Sequence, residues 1–391
     1  MSTRGEIAKE SKFQLGNVVT IAIGHLIHDI YSAFLAPILP LLIRKFGLSY
    51  TMAGMLTVFQ NMASLLNPFI GVLADRISVR YMVIAAPTVT ATVMSLLPLS
   101  PSYTFLVVML LITSLSAACW HVPAPVIIRH VAAARLGTGM SFFMMGGELA
   151  RSLGPIIILG AISLWGMEGT YRMIPFGVAA SLLLFFKLKN VPIRSTGHSQ
   201  SFGKVRLTQV FIRLRALFLI MTGITFARTI ISRTLNSFLP TYLTEKGSSL
   251  WLSGISLSVL ELAGAVGVFA AGAISDRIGR RRMLLIIMTG TPILMTLFLL
   301  SSGFWLLPVL VLLGFFTFSS TPITLALIQE NAQDYPAAAN GIVMSLNFFI
   351  GSLAVVIIGM LSDLMGMERA YWLCALMSLI GIPSVLMLPK D

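Results

Sequence analysis

Ionisable side chains interrupt several long apolar stretches of this chain, and their types could do chemistry. They are His25, His28, Asp29, His121, Glu148, Arg151, Arg228, Arg233 and Glu261. A charge near the centre of a lipid bilayer costs roughly 2.5 to 3.5 kcal/mol on insertion scales, so such residues usually face a cavity or a partner. We therefore expect them to mark a path for ions or polar ligands.

The first apolar stretch carries the pattern with the clearest chemistry. His25, Asp29 and Ser32 follow at spacings of four and three residues, which places them on one face of a helix with His28 beside them. A carboxylate flanked by imidazoles can exchange protons near neutral pH. We expect Asp29 to be a proton-coupling site tuned by His25. The alternative is an Asp–His hydrogen bond that only fixes helix packing.

A second polar stripe lies in the seventh apolar stretch. Arg228, Ser232 and Asn236 follow one another at spacings of four residues, and we expect them to bind substrate. Arg228 is predicted to approach Asp29, since the two halves of the chain are related. An anionic substrate that competes for the guanidinium would then free the carboxylate to take up a proton.

The remaining ionisable residues complete the predicted site. His28 and His121 are assigned to substrate binding, together with Glu148 and Arg151. The spacing of three between Glu148 and Arg151 also allows these two to neutralise each other. Glu261 has no partner at helical spacing in its own stretch, and we expect it to be a second proton-coupling residue.

Composition places these residues in a membrane protein. Hydrophobic residues form 57% of the 391 and charged residues 10%, against roughly one quarter charged in soluble domains. A bilayer core is spanned by about 20 apolar residues in a helix. The sequence predicts twelve such helices, over 17–41, 52–74, 82–100, 104–128, 138–163, 170–187, 216–240, 250–274, 283–301, 304–328, 340–362 and 370–388. The predicted fold class is an all-α integral membrane protein.

Charge and cysteine content limit the partners and the topology. The net charge is +13, but the basic residues concentrate in the termini and alternate loops, which predicts cytoplasmic termini in the plasma membrane and a lipid rather than a nucleic-acid partner. We expect a six-helix bundle in 1–190, a cytoplasmic loop in 191–214 and a second bundle in 215–391. Cys119 and Cys374 both fall in predicted helices, so a disulfide framework or a multi-cysteine metal cluster is excluded.

The second half of the chain repeats the first. Pro40 and Gly54 recur 200 residues later as Pro240 and Gly254, and the run from Gly166 to Glu168 recurs from Gly366. Such internal repeats in a hydrophobic chain are typical of transporters built from two related bundles around a central site.

A loop motif after the second helix of each half indicates a family. Its members are Gly71, Asp75 and Arg76 in the first half and Gly272, Asp276, Arg277 and Arg280 in the second. This motif resembles the signature loop of the major facilitator superfamily. The resemblance implies two pseudo-symmetric six-helix bundles, alternating access, and a gating role for both loops, whereas charges that only fix topology are the alternative.

A narrower resemblance is to the fosmidomycin-resistance family of that superfamily. It is carried by Gly24 to Asp29, by Trp120 with His121, and by Gly146 to Pro155. The chain departs from that family where Val122 and Pro123 follow His121, since family members tend to have Pro and Glu there. Glu148 and Arg151 also stand where the family tends to have uncharged residues. The resemblance implies export without identifying the substrate.

These observations predict a proton-coupled antiporter that exports a small anionic or amphipathic compound, a drug or a metabolite. Two alternatives remain, namely uptake of an organic anion by proton symport, and transport of a divalent metal by His25, Asp29 and His121. The adjacent His28 is expected to point away from Asp29, which disfavours a metal site. Neither a phosphate-binding loop nor an HExxH pattern occurs in the sequence, so we expect no cofactor, no resident metal and no enzyme activity. We expect a monomer.

Overall fold

The computed structural model describes residues 13–67, 70, 80–132, 135–189, 215–331 and 336–388. Within these ranges every regular element is a helix and no β-strand occurs, which confirms the predicted all-α class. Eleven helical segments of the described residues are long and apolar enough to cross a membrane. The predicted helix 52–74 is described only as far as residue 67 and at Ile70. Its remainder, with Gly71, Asp75, Arg76 and the loop 191–214, lies outside the described residues.

The chain forms two compact units. The first contains the described parts of Met1–Leu35 and Phe59–Ser201, and the second contains those of Ala36–Val58 and Phe202–Asp391. The first unit is built from α1 (Leu15–Ser32), α4 (Arg80–Leu96), α5 (Tyr103–His121), α6 (Ala124–Ala132), α7 (Leu136–Trp165) and α8 (Ile174–Leu188). Short 3₁₀ turns at Met62–Leu66, Leu97–Leu99 and Glu168–Met173 connect some of these helices.

The second unit contains the other helices. They are most of α2 (Leu35–Phe46) and of α3 (Tyr50–Asn61), together with α9 (Arg215–Glu245), α10 (Leu250–Ile278), α11 (Arg280–Leu300), α12 (Leu306–Asn331), α13 (Pro336–Met365), α14 (Met367–Ser378) and α15 (Gly381–Leu386). Asp363 of α13 caps the first turn of α3, where its carboxylate accepts hydrogen bonds from the backbone N–H of Tyr50 at 2.7 Å and of Thr51 at 2.9 Å. Such a cap satisfies donors that have no partner within their own helix.

Glycines allow α1 and α7 of the first unit to approach closely. A Cβ on Gly146 would lie 2.5 Å from the carbonyl oxygen of Ala22, and one on Gly154 would lie 2.6 Å from the Cβ of Ala33. Small residues at helix contacts are typical of membrane proteins, because backbones must approach for helices to pack tightly. The close contact brings the polar residues of α1 against the middle of α7.

Backbone conformation bears out the internal repeat. Gly47 and Gly247 both have positive φ, at 61° and 87°, and so do Gly166 and Gly366, at 71° and 87°. Only glycine adopts this region readily. The serine two residues after each member of the first pair accepts a hydrogen bond from the N–H three residues further on, in Met52 and in Leu252. The two halves therefore begin corresponding helices with the same turn and the same cap.

A proline divides one predicted helix. The span predicted over 104–128 consists of α5, which ends at His121, and α6, which begins at Ala124. Pro123 lies between them and has no N–H to donate to the preceding turn. The break leaves His121 as the last residue of α5, where its side chain can turn towards α1.

Candidate functional site

The carboxylate of Asp29 lies among three imidazole rings in the first unit. Its Oδ1 is 2.7 Å from Nδ1 of His28 and 3.3 Å from Nε2 of His121, and its Oδ2 is 3.2 Å from Nε2 of His25. The Asp29 side chain is 14% exposed, and those of His28 and His25 are 0% and 5% exposed. His121 is 43% exposed and is the accessible member of the cluster. We call these four residues the Asp29 cluster.

Two helices position the Asp29 cluster. His25 and Asp29 lie one turn apart on α1, as their spacing predicts, and His121 approaches from the end of α5. The expectation that His28 points away from Asp29 is wrong, because its ring turns back and its Nδ1 reaches the carboxylate. Adjacent helical residues leave the axis about 100° apart, but the χ torsions of a histidine are enough to bring its ring beside a neighbouring short side chain.

Aromatic rings hold two of the imidazoles in place. The His25 ring stacks on Phe143 of α7 with centroids 4.0 Å apart, and the His28 ring stacks on Trp120 with centroids 5.3 Å apart. Trp120 is fully buried. A Cβ on Gly147 would lie 2.7 Å from Cε1 of His25, so the ring occupies the space that this glycine leaves open.

Further hydrogen bonds engage the ring nitrogens that face away from Asp29. Nδ1 of His25 lies 2.7 Å from the carbonyl oxygen of Phe143. Nε2 of His28 lies 3.0 Å from the hydroxyl of Thr90, which in turn donates to Ser116 at 2.8 Å. Sequence reasoning missed Thr90 and Ser116, because hydroxyl residues are common in membrane helices and these two stand at no distinctive spacing.

Glu148 and Arg151 form an ion pair on α7, so the predicted self-pairing is present. The Glu148 side chain is 12% exposed and that of Arg151 is 47% exposed. Arg151 is also close enough to His121 for the two positive charges to repel when that imidazole is protonated. The pair therefore adds both signs of charge beside the Asp29 cluster.

The second unit contains the predicted substrate-binding residues of α9. Arg228 of α9 donates hydrogen bonds to Oδ1 of Asn347 at 2.9 Å and to Oγ1 of Thr321 at 3.1 Å, and it forms no ion pair with any described residue. Ser232 is buried one turn further on, and the side-chain oxygen of Asn236 is buried without a hydrogen-bond partner in the described part of the chain. A guanidinium with neutral partners retains its charge for an anion. The predicted approach of Arg228 to Asp29 remains a prediction.

Glu261 lies inside α10 and is 7% exposed. A buried carboxylic acid of this kind can be protonated or ionised according to its partners. Glu261 belongs to the second unit, whereas the predicted coupling residue Asp29 belongs to the first.

The second copy of the loop motif surrounds the junction of α10 and α11. Gly272, Asp276 and Arg277 lie in the last turns of α10, and Arg280 begins α11. Arg280 contacts Asp276 at 2.8 Å and Glu330 of α12 at 3.0 Å, and it donates a hydrogen bond to Ser275 at 2.7 Å. One guanidinium therefore joins the ends of three helices within the second unit.

The donor atoms of the Asp29 cluster also bear on the predicted metal alternative. His25, Asp29 and His121 each offer one ligand atom, a ring nitrogen or a carboxylate oxygen, and these three atoms lie within 4.8 Å of one another. A divalent cation can be bound at this spacing. The contact of 2.7 Å between His28 and Asp29, however, has the length of a hydrogen bond. The metal alternative therefore stays a prediction.

Comparison with known proteins gives one consistent result. The sequence profile of the Major Facilitator Superfamily matches residues 21–357. The fosmidomycin resistance protein of Escherichia coli (strain K12) is 24% identical over 387 residues, which cover 96% of this chain and 93% of that protein. An uncharacterized MFS-type transporter of Bacillus subtilis (strain 168), YfnC, is 23% identical over 383 residues, with 96% and 93% covered.

A solved structure gives the same fold. A variant of the nucleoside transporter NupG is similar to this chain with a TM-score of 0.79 at 14% identity, covering 96% of this chain and 100% of that one. At this identity the likeness concerns the fold alone. It agrees with the predicted class of an all-α membrane protein with two six-helix bundles, of which the described residues contain eleven candidate spans.

Proposed function

Because this chain belongs to the Major Facilitator Superfamily, we propose that it is a proton-coupled antiporter that exports a small anionic or amphipathic compound by alternating access. The family is one of transporters and not of enzymes, so the chain moves small molecules across a membrane without converting them. The proposal adds a coupling ion, a direction and a class of substrate to that membership.

The observation that carries proton coupling is the Asp29 cluster. Asp29 is mostly buried and contacts imidazoles of His25, His28 and His121 at 2.7 to 3.3 Å. Histidine is the side chain whose charge changes most readily near neutral pH. Burying an ionisable group inside a membrane costs free energy, so a protein that contains such a group usually uses it for function. The cluster can therefore gain and lose protons as its surroundings alternate between the two sides of the membrane.

The preference for an anion rests on Arg228. Its guanidinium is held by Asn347 and Thr321, both neutral, and no carboxylate of the described residues pairs with it. A fork of N–H donors that keeps its full charge suits a carboxylate, phosphate or phosphonate group. Ser232 and Asn236 lie on the same face of α9 and supply further hydrogen-bonding groups.

The proposed direction rests on a relative. A protein named for fosmidomycin resistance is similar over nearly the whole chain, and resistance to a compound is commonly achieved by its export. We place the protein in the cytoplasmic membrane with both termini in the cytoplasm, because basic residues concentrate in the termini and alternate loops. Residues 1–190 and 215–391 are assigned as the two halves that alternate, joined by 191–214, and the protein is assigned as a monomer.

Reconstituted protein tests the proposal directly. Wild type, Asp29→Asn and the exposed control Glu168→Gln are placed in liposomes of known orientation that contain a pH indicator. Phosphonate antibiotics, organic anions, lipophilic cations and divalent metals are added singly. We expect an anion to drive protons in the opposite direction in wild type and Glu168→Gln, and we expect no proton movement in folded Asp29→Asn.

Other outcomes of the same experiment would replace the proposal. Protons that move in the same direction as the anion would make the protein a symporter. A response to divalent metals alone would make it a metal transporter. Proton movement that persists in Asp29→Asn would remove Asp29 from the coupling mechanism.

A further inference from the structure

The outer nitrogen of His25 is fixed as a donor. Its Nδ1 lies 2.7 Å from the carbonyl oxygen of Phe143, and a carbonyl oxygen can only accept a hydrogen bond. Nδ1 therefore carries a hydrogen. In the neutral ring the other nitrogen, Nε2, then has a lone pair, and this atom faces Oδ2 of Asp29 at 3.2 Å.

A chain of buried hydroxyls fixes His28 in the same way. Ser116 donates to the carbonyl oxygen of Ala86 at 3.1 Å, and Thr90 donates to Ser116 at 2.8 Å. Each hydroxyl has one hydrogen to give, so the Thr90 oxygen must accept from Nε2 of His28 at 3.0 Å. In the neutral ring, Nδ1 of His28 then has a lone pair, and it lies 2.7 Å from Oδ1 of Asp29.

These assignments set the number of protons that the cluster needs. With both rings neutral and Asp29 ionised, each of the contacts at 2.7 and 3.2 Å would place a nitrogen lone pair against a carboxylate oxygen, so that two hydrogen-bond acceptors face each other. One added proton turns the first contact into a hydrogen bond, and a second turns the other into an ion pair. His121 differs, because its Nε2 can carry a hydrogen in the neutral ring and so face Asp29 at 3.3 Å without an added proton.

The groups around the cluster leave this count unchanged. From α4 and α5, Thr90 and Trp120 contact the cluster and Ser116 contacts Thr90. None of these three side chains titrates near neutral pH. From α7 the charged neighbours are Arg151, which acts on His121, and Glu148, which is paired with Arg151. The pair contributes charges of both signs.

We propose that Thr90 and Ser116 are positioning residues that hold His28 as its Nε2–H tautomer and thereby require the Asp29 cluster to take up two protons together. This inference rests on the proposed proton coupling and specifies its stoichiometry. When both protons leave, two acceptor pairs face each other and the cluster opens, which couples the loss of protons to movement of α1 against α5.

Variants of the hydroxyl chain test the inference. Thr90→Val removes the acceptor, so neutral His28 can carry its hydrogen on Nδ1 and donate to Asp29, and one added proton fewer is needed. Ser116→Ala has the same effect by another route, because Thr90 is then free to donate to Nε2. Thr90→Ser retains the hydroxyl and is the rescue. Thr113→Val is the matched control, since Thr113 is 1% exposed and its hydroxyl has no hydrogen-bond partner among the described residues.

Two measurements are made on each full-length protein in lipid nanodiscs. Nitrogen-15 NMR of labelled histidines, assigned with His28→Gln, reports the tautomer of His28 at high pH. Acid–base titration, with Asp29→Asn as the reference, reports how many protons the cluster binds. We expect the Nε2–H tautomer and two protons in wild type, Thr90→Ser and Thr113→Val. In Thr90→Val and Ser116→Ala we expect the Nδ1–H tautomer and one proton, with the midpoint of uptake about one pH unit lower.

The inference is overturned if wild-type His28 is the Nδ1–H tautomer, or if Thr90→Val binds as many protons as Thr113→Val. The wild-type spectrum decides the tautomer even if a variant does not fold. Failure of the proposed function is a separate result, because it requires that no substrate moves protons in liposomes. Antiport with an unchanged proton number in Thr90→Val would retain the function and remove the positioning role.

Discussion

Gly147 and His25 are in direct contact across α7 and α1, and the imidazole fills the space that a larger residue at 147 would need. A Cβ on Gly147 would lie 2.7 Å from Cε1 and 2.9 Å from Nε2 of His25. These distances are too short for atoms that do not bond, so one of the two residues would have to move. The absence of a side chain at Gly147 is thus a condition for the position of His25 beside Asp29.

Gly147→Ala is therefore expected to reduce substrate-driven proton movement by about tenfold, the loss of roughly one hydrogen bond to the Asp29 cluster. Alanine favours helices more than glycine does, so a loss of activity would not come from helix propensity. Gly137→Ala is the control on the same helix, because a Cβ there meets no atom within 4 Å. Equal rates of proton movement in the two variants would contradict the prediction.

The sequence predicts part of this site and misses part of it, for physical reasons. The spacing of His25 and Asp29 is a property of one helix and is readable without tertiary structure. The contact of His121 depends on how α5 packs against α1 and where Pro123 ends α5. The carbonyl group of Phe143 belongs to the backbone and leaves no trace in residue identity, so its role in fixing the tautomer of His25 could be found only from the three-dimensional structure.

Arg228 provides a test of the anion preference. A lysine at this position keeps the positive charge but cannot donate to Asn347 and Thr321 with the fixed geometry of a guanidinium fork. We expect Arg228→Lys to raise KM for an anionic substrate by about tenfold and Arg228→Gln to abolish its transport. Arg282→Lys is the control, since Arg282 lies exposed on α11. Wild-type KM in Arg228→Gln would exclude Arg228 from substrate binding.

A double-mutant cycle can show whether Glu148 and Arg151 mainly neutralise each other or contact the substrate. If the two charges mainly neutralise each other, Glu148→Gln and Arg151→Gln should each slow transport, and the double variant should recover much of the lost rate. Transport rate in liposomes is the measurement. A double variant as slow as Arg151→Gln alone would mean that Arg151 binds the substrate.

A variant of Arg280 can show whether this residue controls gating or only fixes the topology of the chain. Its guanidinium joins Asp276 and Glu330, whose side chains are 63% and 52% exposed. Exposed ion pairs contribute little to stability, so Arg280→Gln should lower the free energy of unfolding by less than about 1 kcal/mol. If the network instead controls the rate of a conformational step, transport should slow in Arg280→Gln while thermal stability stays near that of wild type.

Salt should distinguish these roles further, because exposed charges are screened over shorter distances as ionic strength rises. Between about 0.1 and 1 M salt the screening length falls from about 10 to 3 Å. We expect wild-type transport to slow over this range and Arg280→Gln to respond much less, since it has already lost the contacts that salt weakens. Arg282→Gln, with the same change of charge on the exposed side of α11, should follow wild type. A salt response of Arg280→Gln equal to that of Arg282→Gln would leave Arg280 with a role in topology alone.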